Sequence, residues 1–281
     1  MVKKYFILFL ISISSTFSYC QNAIDITNKM FEKSKTVKTL SLRIISKERY
    51  GADFKIVEAL IKKQVSPIKI YYKQLKPPTN AEVLVNEKYN KKALVNPKAF
   101  PWINIELDPM GTILREAQHH SIYEAGFDYF IQILGYLLDK NKETIKDLAF
   151  YKGEITLDGI ACYKIELNNP SFKIISYKVK ESCNVTSLAR KLHISEYHIL
   201  ERNPKFKEFN DLVPIGTVLN IPNDYAKKLT MLIDKSTSLP IFLEVYDDKG
   251  LYEQYKFLEV KINPPFTEAD FNENNKNYGF K

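Results

Sequence analysis

An α+β fold, with one long antiparallel meander and a small βααβ unit set into it, is what this sequence predicts. Three observations predict it. Alternating apolar segments follow one another across short polar turns, as in Thr39–Arg49 with Leu40, Leu42 and Ile44 in phase, a turn at Gly51-Ala52-Asp53, then Phe54–Val65. Helical periodicity is confined to few stretches, the broadest running through Tyr123, Phe127, Phe130, Ile131, Leu134, Leu137 and Leu138. Tyr177–Pro222 reads β-α-α-β. Strands joined by short turns, without a helix between each pair, indicate antiparallel neighbours rather than βαβ crossovers.

The chain opens on Lys3-Lys4, an apolar run Tyr5–Ile13 and a Ser/Thr-rich stretch up to Cys20-Gln21, the layout of a secretory signal peptide over residues 1–20. The apolar run is too short to span a membrane, and no later stretch is long enough, so the mature chain carries no transmembrane segment. Retention of a lipid on Cys20 is the other processing outcome. Phe17-Ser18-Tyr19 favours plain secretion, because the lipoprotein peptidase prefers a small residue before the cysteine. Loss of Lys3 and Lys4 takes the net charge from +8 to +6, a balance suited to anionic envelope polymers or lipid head groups. The lysines are scattered, which argues against nucleic acid. Cys162 and Cys183 remain, either as a disulfide or as two free thiols.

Ala23–Val37 places Ile26, Met30 and Phe31 on one helical face. After the first hairpin come strands at Pro67–Tyr72, Ala81–Val85 and Lys92–Val95. Asn96–Phe130 is irregular, with Phe100-Pro101-Trp102, a turn at Leu107-Asp108-Pro109-Met110-Gly111, and Gln118-His119-His120-Ser121 leading into the central helical run. Strands resume at Leu148–Leu157, Ala161–Leu167 and Phe172–Ser176. They continue beyond the βααβ unit at Lys228–Ile233, Leu239–Tyr246 and Leu251–Val260, with Asp247-Asp248-Lys249-Gly250 as a hairpin turn. An insert whose ends lie side by side can replace a hairpin loop, so Phe172–Ser176 and Lys228–Ile233 are expected to be neighbours.

Within the unit, Val185, Leu188, Ala189 and Leu192 form an i, i+3, i+4, i+7 stripe behind an Asn184 cap. Ser195 stands as a second cap, with Ile194 and Ile199 as its staple, and Pro204 stops the second helix near Asn203. Tyr177-x-Val179, Leu188-Ala189, Asn203-Pro204 and Ile215-Gly216-x-Val218-Leu219-x-Ile221-Pro222 resemble a LysM module, a binder of N-acetylglucosamine glycans such as peptidoglycan. The resemblance implies sugar contacts from two loops: Glu181, Ser182, Cys183, Asn184 and Val185, and Leu212, Pro214, Ile215 and Gly216. Ser182-Cys183-Asn184 departs from the usual Gly-Asp-Thr in the first of these.

The rest, residues 21–176 and 223–281 around an insert at 177–222, resembles the LolA-like fold. The matching features are the N-terminal helix, the meander, the central helical excursion and an ending Leu232-Ile233-Asp234…Leu239-Pro240…Tyr246-Asp247…Gly250…Asn263-Pro264…Phe271. Val95-Asn96-Pro97…Phe100-Pro101, Gln118-His119-His120 and Gly126-Phe127 look like one uncharacterised exported family within it. The resemblance implies a curved antiparallel half-barrel wrapped around helices, an apolar cavity, and a periplasmic or envelope location. Phe100, Trp102, Tyr123, Phe127 and Phe130 are the candidates to line that cavity for a lipid or acylated protein. They also fit ordinary core packing.

Neither catalytic nor cofactor chemistry is expected. Adjacent His119 and His120 point about 100° apart on a helix, so the pair by itself makes no metal site. They fit backbone hydrogen bonding or the cavity mouth. Asp108 and Asp247-Asp248 read as turn residues. There is no nucleophile elbow or phosphate-binding glycine loop. The reading is a non-enzymatic envelope protein that holds an apolar ligand and docks on peptidoglycan. An envelope enzyme targeted by the insert, and a structural protein without ligand, are the alternatives. A cluster of titratable groups in the cavity would favour the enzyme.

Overall fold

The computed structural model describes residues 22–100, 102–116 and 118–280. The leader and Cys20 lie outside the described residues. A helix, α1 (22–34), precedes the long hairpin β1 (Thr39–Tyr50) and β2 (Asp53–Gln64), and β3 (Lys69–Lys76), β4 (Glu82–Val85), β5 (Ala93–Asn96) and β6 (Ile105–Leu107) complete the first meander. Then come α2 (Asp128–Lys140), the single turn α3 (Ile145–Leu148), β7 (Ala149–Leu157) and β8 (Ile160–Asn168). The small unit holds β9 (Ile174–Lys178), β10 (Cys183–Asn184), α4 (Val185–Leu192), α5 (Glu196–Arg202), β11 (Leu212–Val213) and β12 (Val218–Pro222). β13 (Lys228–Asp234), β14 (Pro240–Asp247) and β15 (Gly250–Ile262) return to the large sheet.

That sheet has 11 strands in the order β6-β5-β4-β3-β2-β1-β15-β14-β13-β8-β7, every neighbour antiparallel. Its two edges do not pair, so it is open. Laid flat, such a sheet would be about 50 Å wide, against about 10 Å for a helix. Yet one contiguous core cluster runs from Val95 on β5 through Leu42, Ile61 and Phe257 to Ile165 on β8, and takes in Met30 of α1 and Phe130, Ile131, Leu134 and Leu137 of α2. The sheet therefore curls around the two helices as a half-barrel.

The central helical run is shorter than its apolar pattern suggests. Ser121 and Glu124 form a capping box on a 3-10 turn, Ile122–Glu124, and α2 begins only at Asp128. Gly126 sits between them at φ +111, and a Cβ there would stand 3.3 Å from Leu40. The break turns the 3-10 segment away from the helix and across the concave face.

The expected pairing of Phe172–Ser176 with Lys228–Ile233 is not found. β13 lies beside β8, with Leu229 opposite Leu167 and Ile233 opposite Tyr163. β9 instead pairs with β12, Tyr177 opposite Leu219. A turn after β8 separates them: the Asn169 N–H still donates to Lys227 O (2.8 Å), but Lys173 N–H donates to the Asn223 side chain (2.8 Å). The connection between β8 and β13 thus leaves the large sheet as a separate two-stranded ribbon.

The small unit has its own apolar cluster, including Val185, Leu188, Ala189, Ile194, Ile199, Leu219 and Ile221. Asn184 caps α4 through Ser187 N–H (2.8 Å), as its position predicts. Ser195 stands at the N-cap of α5 but its hydroxyl makes no cap; it accepts from Tyr252 of β15 (2.8 Å). Cys162 and Cys183 are both free. Phe127 packs edge-on against Phe257 where α2 meets the sheet. Phe127→Ala should cost about 3–5 kcal/mol, read as a lower urea midpoint with an unchanged slope.

Candidate functional site

A cavity of about 60 Å³ lies under the irregular segment on the concave face, room for about four waters. Ile44, Val57, Ile61 and Val83 of β1, β2 and β4 form one wall; Leu114, Ile122 and Phe130 face them. Buried Lys63 holds the covering segment in place, donating to Tyr123 O (2.9 Å), Ala125 O (3.0 Å) and Asp128 Oδ2 (2.8 Å). Along β1 the inward positions change from Leu40, Leu42 and Ile44 to Ser46 and Glu48, so the cavity becomes polar toward one end.

Glu253 of β15, fully buried, stands behind that end. Its Oε1 faces His119 Nδ1 (2.8 Å) and His120 Nε2 (3.2 Å), and its Oε2 accepts from the Tyr225 hydroxyl (2.9 Å). His119 Nε2 faces Arg49 O (2.9 Å); both partners of this ring are acceptors, so each bond needs a proton on its own nitrogen. Glu48 accepts from the Tyr255 hydroxyl (2.6 Å) and the His119 backbone N–H. Glu124 accepts from Ser121 N–H (2.8 Å) and from Arg190 (3.2 Å).

These contacts set the charges. Burial opposes a charge on His120, but Glu253 and Glu124 outweigh it and raise its pKa well above the usual histidine value. Burial likewise disfavours the Glu253 carboxylate, and the two histidines more than compensate, holding it well below the usual range. Glu124 is lowered to about 2, since His120 outweighs its burial. Deeper in, burial and then the Arg202 charge push His198 down to about 3. Neither of its ring nitrogens has a hydrogen-bond partner.

A second buried network joins the small unit to the sheet. Asp247 accepts from Arg49 through both guanidinium nitrogens (3.0 and 2.5 Å) and from Arg202 of α5 (3.1 Å). Arg202 also donates to Glu201 (2.8 Å) and Asp248. Arg115, on the segment that covers the cavity, pairs with Glu196 of α5 (3.4 Å) and lies 3.6 Å over the Phe209 ring. Since Arg190 of α4 holds Glu124, the unit's helices clamp the outside of that segment.

Of the five aromatics expected to line the cavity, Phe130 does. Phe127 is buried in the core, and Tyr123 packs partly buried beside Arg190 and His193. Phe100 and Trp102 are 86% and 63% exposed on the β5–β6 loop, which projects outward, with Trp102 at φ +61 in a turn closed by its N–H on Ala99 O. Closeness in sequence did not become closeness in space. The two expected glycan loops do come together: β10 pairs with β11, and Ile215 N–H donates to Ser182 Oγ (3.0 Å). Glu181, Ser182, Pro214 and Gly216 are exposed, as are Leu212 (66%) and Ile215 (65%); Cys183 and Asn184 are half-buried. Val185 is fully buried in the unit's core and cannot touch a sugar.

Sequence reasoning missed Glu48, Glu253, Tyr225 and Tyr255. The signal was there: Ser46 and Glu48 continue the Leu40-Leu42-Ile44 alternation, and Glu253 is in phase with Tyr255 and Phe257. Asp247 is the turn residue expected, accepting from Lys249 N–H (2.8 Å), but it is also the buried counterion of two arginines.

Residues 213–280 match the model of a protein family of unknown function, DUF1571. No curated protein matches the chain. Among solved structures the chain is similar to MucB, at 10% identity and TM-score 0.42 over 90% of this chain, and it spans only 62% of the MucB chain. It is also similar to the Mycobacterium tuberculosis lipoprotein LppX (12%, TM-score 0.41, 88% of this chain and 98% of that one). A third similarity is to a Vibrio parahaemolyticus domain described as an outer membrane lipoprotein-sorting protein (9%, TM-score 0.33, 91% and 98%). The LysM-like resemblance of the insert rests on its sequence.

The two perturbed histidines act on opposite sides of neutrality. The unfolded chain protonates His198 below about 6.5 while the fold keeps it neutral to about 3, so stability falls as pH drops through that window. His120 contributes fully below about 6.5, and that contribution is lost as pH rises through its higher folded value. Urea midpoints measured against pH should peak near 6.5. His198→Phe should flatten the decline between about 6.5 and 4.5, and an unaltered decline would remove His198 as its source.

Proposed function

We propose that this chain is a non-enzymatic binding protein of the cell envelope, taking an acyl group into the cavity of the half-barrel. The observation that carries this is the apolar cavity between β1–β4 and the 114–126 segment. Its volume suits a short acyl end rather than a whole lipid chain. Binding is favoured over catalysis by the state of the carboxylates beside it: Glu124 and Glu253 are held below the usual carboxylate range by the histidines, which makes them weak bases. The secretory leader read in the sequence supports export, and no helix among the described residues is long and apolar enough to cross a membrane. Val83 lines the cavity wall, so Val83→Trp should fill it. Displacement of a bound alkyl fluorophore should then be lost with the fold intact by circular dichroism; undiminished displacement would place the ligand elsewhere.

The small unit adds a second half to the proposal, a peptidoglycan dock. The support is that exposed Leu212 and Ile215 stand beside Glu181 and Ser182 at loops joined by β10 and β11, while α4 and α5 carry the contacts to the host. Ile215→Asp should abolish pelleting with purified, lipid-free sacculi. Failure of the unaltered protein to pellet would sink the docking half alone.

A further inference from the structure

One donor in the cavity is left over. His120 is only 7% exposed and lines the cavity, and its Nε2 is taken up by Glu253 (3.2 Å) and the Tyr225 hydroxyl (3.2 Å). Its Nδ1 is buried without a partner. Glu124 Oε2 is 3.7 Å away, an ion-pair distance beyond hydrogen-bond reach. With the ring charged, as Glu253 and Glu124 hold it, Nδ1 carries a proton. A buried charged donor left unmade costs more than a neutral one, so the site is short of one acceptor.

The surroundings decide what kind of acceptor fits. Glu48 on β1 and Glu124 on the 3-10 turn face this end, with Tyr72, Tyr255 and Ser121 among the lining and Arg190 on the far oxygen of Glu124, while Glu253 stands behind His120. An incoming carboxylate would meet Glu124 and, beside it, Glu48, whose hydrogen bonds come from the uncharged Tyr255 hydroxyl and the His119 backbone N–H. Like charges in a poorly solvated site repel strongly. An uncharged carbonyl accepts the same hydrogen bond without that repulsion. Isoleucine and valine walls beside it suit the methylenes next to such a carbonyl.

Resting on the acyl-binding reading above, we propose that the cavity selects an uncharged acyl ester or amide over a free fatty acid, with His120 Nδ1–H as the donor to its carbonyl. Methyl hexanoate and hexanoate, which share one acyl chain, are the probes, titrated into the full protein at pH 7 and followed by NMR shifts of the cavity methyls. The ester should bind at least about tenfold more tightly, the usual worth of a hydrogen bond to a charged group. His120→Phe should reduce ester affinity by about the same factor. Because that variant could also loosen the fold, Glu124→Gln is the second test. It keeps the side chain's size and removes one lining negative charge, so it should shift the ester-to-hexanoate affinity ratio several-fold toward hexanoate. Equal binding of the two probes, or tighter binding of hexanoate, would overturn the head-group selectivity and leave the acyl site standing. No shift with either probe would overturn both.

Discussion

The carboxylate of Glu253 is the contact on which the centre of this molecule depends. A buried carboxylate costs several kcal/mol to desolvate unless it is fully paired. Here the pairing is supplied by His119 and His120 of the covering segment and by Tyr225, which leads into β13. One side chain therefore joins three parts of the chain that are far apart in sequence. It also fixes the covering segment at a set height above the sheet, which makes the space beneath a cavity rather than a collapsed interface. His119 and His120 need Glu253 as much as it needs them, so the segment and the sheet order together.

The small unit takes part in this arrangement. Its α5 places Arg202 on Asp247 and Glu196 on Arg115, and its α4 places Arg190 on Glu124. Ser195, which would ordinarily cap α5, instead accepts from Tyr252 of β15. Local helix stability is exchanged for a bond between domains. The insert is thus more than a tethered binding module, since its helices hold the outside of the segment that covers the host's cavity.

Much of the fold was legible because it rests on short-range rules. Alternation in β1, the turns at Gly51 and Gly250, and the Asn184 cap all predict what forms. The site was less so. Phe100 and Trp102 were read as cavity lining from their nearness to Phe127 and Phe130, but a loop that leaves the sheet takes its side chains with it. Conversely, Glu48 and Glu253 sit on inward positions where charge is disfavoured, and only the partners brought in from 119, 120, 225 and 255 make that tenable. Those partners are set by tertiary contact, which no local pattern encodes. The pairing of β13 with β8 was missed for a similar reason: one polar turn at Asn169–Phe172 decides which ribbon the following strand joins.

The central seam of the sheet is the pairing of β1 with β15, Leu40 opposite Ile262. The first strand thus waits for the last. Until the C-terminal hairpin is in hand, one long side of β1 presents unpaired backbone and apolar side chains, the kind of exposed edge that recruits other chains. Contacts of such long range slow folding, so the nascent chain stays vulnerable to aggregation through most of its synthesis. In this topology the last strand is what covers the first, so loss of the C-terminal hairpin would uncover β1 however well the rest of the chain had folded.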